Sequence, residues 1–426
     1  MIRALVVVVT VLAILTLPAA RVGAAGVTVV SSAARVDFPW GVTFTLEAVS
    51  EVEITDVSLL VNLPNQRYGA YPRNVRPDFR PGPRVTATWT WRRYGSQLPP
   101  GADISYQWRI TDAAGARVET PMAVVRVEDT RFPWRELKSD TVTLRWYRGD
   151  EAFGRNLLDA ATATVTRLAH EQGVDLVRPV TVLVYGSQAD LYSALPGTPP
   201  WIGGLSIGEY DTVLVPIAPG DGGDGQRALL HELTHQIIYQ ITFSPGLGSR
   251  VPAWLNEGLA VVAEGGTSRE HRQALAQAVQ FDRLPTLRTL TNPFSTLPGP
   301  DAQTAYAAAE SVVRYLLHEY GPDRMRALLT RFAEGRTPDD ALRAVYGKGQ
   351  DEIEDGWRVS LGLRPRDRGE ELATGGAPVL ARGQGAAGSR AVVAGVAAMA
   401  TTLVVMVAGS VLLLRRRRRA SPNGRG

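Results

Sequence analysis

The sequence predicts a multidomain chain with an all-β sandwich first, an α+β domain second and one transmembrane helix last. Three observations predict this fold class. Apolar and polar residues alternate with a period of two over most of residues 27–127. Residues 131–365 combine short apolar runs typical of strands with segments of helical periodicity. Residues 391–414 carry no charge, and at about 1.5 Å per residue such a helix can cross a bilayer core of about 30 Å.

Both ends of the sequence are predicted to direct the chain to a membrane. Residues 1–25 resemble a secretory signal peptide, because Arg3 precedes an apolar run that ends in small residues; an uncleaved anchor is the alternative. Residues 366–390 are rich in Gly, Ala and Arg and indicate a linker. The helix at 391–414 precedes an arginine-rich tail at 415–426, which is typical of the cytoplasmic side. We therefore expect a single-pass cell-membrane protein with its bulk extracellular; a buried helix of a soluble domain is the alternative.

Residues 26–130 are predicted to form the β-sandwich. The runs Arg84–Trp91 and Ile104–Ile110 alternate well, and clusters of Pro and Gly separate such runs. Nothing in this part indicates catalytic chemistry. We expect a spacer or docking domain whose tryptophans lie in its core.

Residues 131–365 are predicted to form the α+β domain. Strand character lies at 141–147, 180–185 and 210–215, and helical periodicity lies at 151–172 and 302–320. Gly173 follows the first of these helices and Gly321-Pro322 follows the second, as expected at helix ends. The chain after Gly265 is predicted to be largely helical.

A metal-binding motif lies at the centre of this domain. His231 and His235 stand four residues apart in the segment HELTH, and residues at that spacing share one face of a helix, with Cβ atoms roughly 6 Å apart. Two imidazoles so placed can bind one zinc ion. Glu232 is rotated by about 100° from His231, so it can act on a metal-bound water without being a ligand. A chance match is the alternative.

A second motif supplies a third candidate ligand. Glu257 lies 22 positions after His235, in the segment PAWLNEGLA, and a catalytic zinc site uses three protein ligands and one open position. HELTH followed by WLNEGLA resembles the gluzincin metallopeptidases, most closely the M1 aminopeptidases and the peptidase MA-like group. The resemblance covers at most residues 132–363 and implies a thermolysin-like α+β fold. It also implies His231, His235 and Glu257 as zinc ligands and Glu232 as general base.

Two features depart from the resemblance. Thermolysin-like enzymes carry an aspartate one turn after the ligand glutamate, where this sequence has Val261. The GxMEN segment, which holds a substrate's free amine in aminopeptidases, is missing, and the nearest candidate runs from Gly203 to Ile207. We expect this segment to be the substrate-binding edge strand, because Gly203 and Gly204 allow close approach of a peptide backbone. A plain glycine turn is the alternative.

Tyr306 is the candidate for a second oxyanion donor. Gluzincins commonly place a Tyr or His from the helical lobe opposite the general base, and Tyr306 lies among alanines near the start of a predicted helix. The segment 305–321 is similar to a loose helix motif of peptidase MA-like proteins. His271 is predicted to lie at the surface, His318 in solvent, and Tyr315 in a packed interface. Packing of Tyr306 against the zinc helix is the alternative.

The composition of the chain argues against several kinds of site and partner. The chain of 426 residues has no cysteine, which excludes disulfides and Cys-ligated metals. The net charge is +4, but six arginines lie beyond Leu414, so the rest of the chain carries a balance of −2, which argues against a nucleic-acid partner. We expect a membrane-anchored extracellular zinc peptidase that cleaves a peptide or protein substrate through a zinc-activated water. A non-catalytic zinc-containing cell-surface binding or adhesion protein and an aminopeptidase are the alternatives, and the oligomeric state is left open.

Overall fold

The structure is a computed structural model. It describes residues 26–62, 73–92, 98–172, 178–198, 203–221, 223–244, 247–294 and 297–368. The signal peptide predicted at 1–25, the transmembrane helix predicted at 391–414 and the tail predicted at 415–426 lie outside the described residues. Within the described ranges, no helix combines the length and the apolar composition that a membrane span requires.

The described residues of the N-terminal part form seven strands. They are β1 (Val27–Asp37), β2 (Gly41–Asn62), β3 (Arg73–Val75), β4 (Gly82–Arg92), β5 (Asp103–Asp112), β6 (Arg117–Glu119) and β7 (Ala123–Arg126). The long strand β2 pairs mainly with β1 and β4 along its first half and with β3 and β5 along its second half. Alternate side chains of both halves, such as Phe44 and Leu59, lie in one core, because successive residues of a strand face opposite ways. The predicted β-rich N-terminal region is confirmed, and β2 joins its described strands into one hydrogen-bonded sheet.

A second sheet begins the α+β part. It contains β8 (Arg135–Lys138), β9 (Val142–Trp146), β10 (Val180–Tyr185), β11 (Leu205–Ile207) and β12 (Thr212–Pro216), in the order β11-β12-β10-β9-β8. β10 is parallel to β9 and β12, whereas β8 and β11 are antiparallel to their neighbours and form the edges. The strands predicted at 141–147, 180–185 and 210–215 are confirmed to within two residues.

The described helices follow and interrupt this sheet. They are α1 (Glu151–Gln172), α2 (Gln188–Ala194), α3 (Gly223–Thr242), α4 (Ala253–Ala263), α5 (Arg269–Gln280), α6 (Gly299–Ala333), α7 (Pro338–Tyr346) and α8 (Gln350–Ser360). α6 is interrupted at Gly321, whose φ of 80° is not helical, at the point where the sequence predicts a helix end. α4 packs closely on α6, because a Cβ on Gly258 would overlap the carbonyl oxygen of Ala309.

The second sheet is buried on both faces. Val182 and Val184 of β10 lie in an apolar core with α1 and α3, while Leu183 and Tyr185 lie in the core of the N-terminal part. A strand buried on both faces needs a continuous apolar run, which residues 182–185 provide. The N-terminal part therefore supports the sheet from the face opposite to the helices that carry the site.

Candidate metal centre

Two neighbouring helices bring three candidate metal ligands together. His231 and His235 lie one turn apart on α3, and Glu257 lies on α4. The Nε2 atoms of the two histidines each lie 3.5 Å from Oε2 of Glu257, and all three side chains are buried. Within the described ranges, these residues are the one group of three or more His, Cys, Asp or Glu residues whose donor atoms are close enough to hold a metal ion.

The donor atoms of this group fit a zinc ion. Both Nε2 atoms and Oε2 of Glu257 are buried without a hydrogen-bond partner in the part of the chain that the structure describes, whereas buried polar atoms are normally paired. Zinc forms tetrahedral bonds of about 2.0–2.1 Å to nitrogen and oxygen, so its ligand atoms lie roughly 3.4 Å apart. The 3.5 Å separations match that distance. Two imidazoles and one carboxylate are also a ligand set of catalytic zinc sites.

Burial and neighbouring carboxylates set the charge of the site. Burial lowers the pKa of His231, but interactions with Glu257 and Glu264 and the charge of Glu232 outweigh it and raise the pKa to about 10. Burial raises the pKa of Glu257, yet the two imidazoles outweigh it and lower the pKa to about 2. Burial raises the pKa of Glu232 to about 7, although the imidazoles oppose this rise. The carboxylates thus favour positive charge between them, which a divalent cation would supply.

Glu264 orients one of the imidazoles. Its Oε1 lies 2.8 Å from Nδ1 of His231, so Nδ1–H donates to the carboxylate and Nε2 keeps its lone pair for a metal. The sequence gives no such partner at Val261, one turn after Glu257. Glu264 lies seven residues after Glu257, and seven residues of helix return to nearly the same face. That spacing is the signal that could have identified Glu264 from the sequence.

Replacing Glu264 with Ala is expected to weaken zinc affinity about 10- to 100-fold, because Nδ1 of His231 loses the acceptor that fixes the ring. Zinc affinity is measured by competition with a chelator. Glu270→Ala is the matched control, since Glu270 is an exposed carboxylate on the wall of the same cleft. Equal zinc affinity in Glu264→Ala and the unmodified chain would contradict this role of Glu264.

Glu232 lies where the edge strand begins. Its side chain is fully buried, and neither carboxylate oxygen is hydrogen-bonded within the described residues. A Cβ on Gly204 would lie 2.7 Å from Cγ of Glu232, so glycine leaves the space that this side chain occupies. Gly204 directly precedes β11, an edge of the second sheet. The structure therefore places the predicted general base against the predicted substrate strand.

A cleft of ≈ 620 Å³ reaches the metal centre. Gly203, His231, Glu264 and Tyr306 all contribute to its lining, so the predicted strand and the predicted oxyanion donor share a cleft with a candidate ligand. His271 lines the same cleft and is half-buried. The prediction that His271 lies at the surface is therefore wrong, because its ring is paired with the buried carboxylate of Glu310 on α6.

Tyr306 is held in the cleft wall by aromatic packing. Its ring contacts Phe294 edge-on, with ring centroids 5.2 Å apart. Burial, followed by the charges of Glu257, Glu232 and Glu264, raises the pKa of Tyr306 well above its usual value. The phenol therefore stays protonated at neutral pH and can act as a hydrogen-bond donor.

A match to a protein-family model agrees with the motifs. Residues 160–362 match the family model of the peptidase MA superfamily, which confirms the gluzincin-like resemblance for this segment. An M1 zinc metallopeptidase from Deinococcus radiodurans is 15% identical over 80% of this chain and 95% of that chain, with a TM-score of 0.37. A mutant two-domain M1 zinc metallopeptidase bound to L-arginine is 15% identical over 81% and 96%, with a TM-score of 0.38. No curated protein matches the sequence.

Proposed function

We propose that this chain, whose residues 160–362 match the peptidase MA superfamily, is a zinc-dependent peptidase. The observation that carries the proposal is the buried group of His231, His235 and Glu257, with the unpaired carboxylate of Glu232 beside it. When bound there, zinc would supply Lewis-acid chemistry at the peptide carbonyl and lower the pKa of a water. The remaining chemistry belongs to residues of the chain.

Glu232 is the proposed general base. It would take a proton from the attacking water and then deliver that proton to the leaving amine. The backbone N–H of Ser206 lies close enough to the carboxylate to lower its pKa but completes no hydrogen bond to either oxygen, so the carboxylate is available for these transfers. The close contact with Gly204 holds the side chain in place, and such pre-organisation is what general acid–base catalysis requires.

The substrate is proposed to bind as an extended peptide along β11. An edge strand has one row of backbone groups without a strand partner, and a peptide can add to it as a further strand. Gly203 and Gly204 precede this strand, so no side chain separates a bound backbone from Glu232. Tyr306, from the helical side of the cleft, would donate to the oxygen on which negative charge develops.

Two other functions receive less support from the site. A non-catalytic structural zinc usually has four protein ligands, whereas three are found among the described residues, and such a site gives Glu232 no role. An aminopeptidase needs an acidic group for the free amine of its substrate. If GxMEN is aligned from Gly203, its glutamate is replaced by Ser206, whose buried hydroxyl donates to Gln236 at 3.1 Å. We therefore favour cleavage within peptides.

Metal analysis and a peptide library together test the proposal. We expect about one zinc ion per chain and cleavage at internal bonds of peptides whose two ends are blocked. A chelator should abolish the cleavage and added zinc should restore it. Bound zinc without any cleavage would favour the non-catalytic function, and cleavage only of unblocked peptides at their first residue would favour an aminopeptidase.

We propose that the peptidase part lies outside the cell and that residues 391–414 anchor it. This proposal is supported by sequence alone, through the signal-like residues 1–25 and the arginine-rich tail at 415–426. Protease added to intact cells is expected to release the peptidase part and to leave the tail protected. Permeabilised cells are the control, in which the tail is also digested. A protected peptidase part with an accessible tail would reverse the topology.

A further inference from the structure

A histidine and a buried carboxylate form a pair in the cleft wall, outside the metal centre. His271 on α5 lines the cleft, and its Nδ1 lies 3.3 Å from Oε2 of Glu310 on α6. The other oxygen of Glu310 accepts hydrogen bonds from Oγ1 of Thr267 at 2.5 Å and from Nε of Arg314 at 2.8 Å. The side chain of Glu310 is only 2% exposed. Neither His271 nor Glu310 has a part in the reaction proposed above.

Glu310 determines which nitrogen of His271 carries the hydrogen. Burial raises the pKa of Glu310, but hydrogen bonds from His271, Thr267 and Arg314 outweigh it and lower the pKa below the usual value. The carboxylate is therefore ionised at neutral pH and can only accept. Nδ1 of His271 must then be the donor, and in the neutral imidazole the acceptor is Nε2.

The same contact turns Nε2 of His271 towards the cleft. Because Nδ1 is held by a buried carboxylate, Nε2 is the ring nitrogen left for a ligand in the cleft that His271 lines. The ring is parallel to that of Tyr306 within 2°, with centroids 6.5 Å apart. Both side chains line the same cleft, so the residue that carries this acceptor is a neighbour of the proposed oxyanion donor.

We propose that His271 is a substrate-binding residue whose Nε2 accepts a hydrogen bond from a backbone N–H of the bound peptide. The proposal rests on the peptidase function and gives the peptide a second contact, on α5, in addition to the one proposed on β11. A donor without negative charge suits this cleft, because its lining has one arginine, Arg227, and four carboxylates: Asp221, Asp224, Glu264 and Glu270. An anionic group of a substrate would be repelled by them. Glu310 acts through His271 and is a positioning residue.

Peptides that are N-methylated at one amide at a time test this contact. We expect methylation at one position near the scissile bond to raise KM of the unmodified chain about two- to tenfold, the effect of one hydrogen bond. His271→Ala should raise KM for the parent peptide by a similar factor and should no longer respond to methylation at that position. Glu310→Gln should also raise KM for the parent peptide. The double variant with His271→Ala should have the same KM as His271→Ala alone. Zinc content should not change in any of these variants.

His318→Ala is the matched control, because His318 is an exposed histidine on α6; its kinetics should equal those of the unmodified chain. If the Ala variant has a lowered Tm, His271→Leu, which better preserves the ring's volume, repeats the measurement. Two results would overturn this inference alone, provided that the unmodified chain is active. One is an unchanged KM in His271→Ala. The other is a His271→Ala variant that responds to methylation at every position as the unmodified chain does. A fall in kcat with unchanged KM would also overturn it. An unmodified chain that neither binds nor cleaves peptides would refute the peptidase function, and this inference with it.

Discussion

Glu232→Gln is expected to lower kcat by about 10²- to 10⁴-fold, the typical contribution of a positioned general base, while zinc remains bound. Glutamine has nearly the same shape as glutamate, so it can occupy the space beside Gly204 without moving α3. It cannot accept a proton from water at neutral pH. The two measurements are kcat on a cleaved peptide and the zinc content of the same preparation.

Two further variants separate the base from the metal centre. His235→Ala removes one candidate ligand, so it should lose both zinc and activity. Glu209→Gln removes a half-buried carboxylate near the end of β11, outside the proposed machinery, and should change neither. If Glu232→Gln cleaves as fast as the unmodified chain, Glu232 is not the base and the proposed mechanism fails.

Local sequence patterns predict much of the fold and the ligand set. The helix predicted at 151–172 has those bounds in the structure, because its apolar periodicity is regular and a glycine follows it. His231 and His235 are predictable because their spacing is a property of one helix. Glu257 is predictable only through its motif, because the packing of α4 on α3 brings it to the histidines.

Residues whose role depends on packing between distant segments could not be predicted in this way. His271 lies in a polar run of sequence, and only the fold brings it to Glu310, 39 positions later. The short strand β8 and the short helix α2 have too few residues to show a clear period. Glu264 is an intermediate case. Its seven-residue spacing from Glu257 predicts that both lie on nearly the same helix face, once this segment is predicted to be a helix. Sequence patterns thus predict the ligands better than the side chains around them.

Tyr306→Phe is expected to lower kcat by about 10²- to 10³-fold, the usual effect of removing one oxyanion donor. The phenol lies in the same cleft as His231, and burial together with nearby carboxylates raises its pKa, so it stays a donor through the neutral range. Phenylalanine keeps the ring that packs on Phe294 and lacks only the hydroxyl. Zinc content and Tm should therefore match those of the unmodified chain.

A second tyrosine on α6 provides the control for this prediction. Tyr315 lies further along the helix and pairs with Tyr320, with ring centroids 6.2 Å apart, so Tyr315→Phe should leave kcat unchanged. KM should also change little in Tyr306→Phe, because the proposed hydrogen bond forms on the oxyanion and only weakly on the substrate carbonyl. A large rise in KM with unchanged kcat would make Tyr306 a substrate-binding residue. If kcat falls by less than about threefold and KM is unchanged, Tyr306 is a packing residue against Phe294. Removing a hydrogen-bond donor to the transition state would lower kcat by more than that.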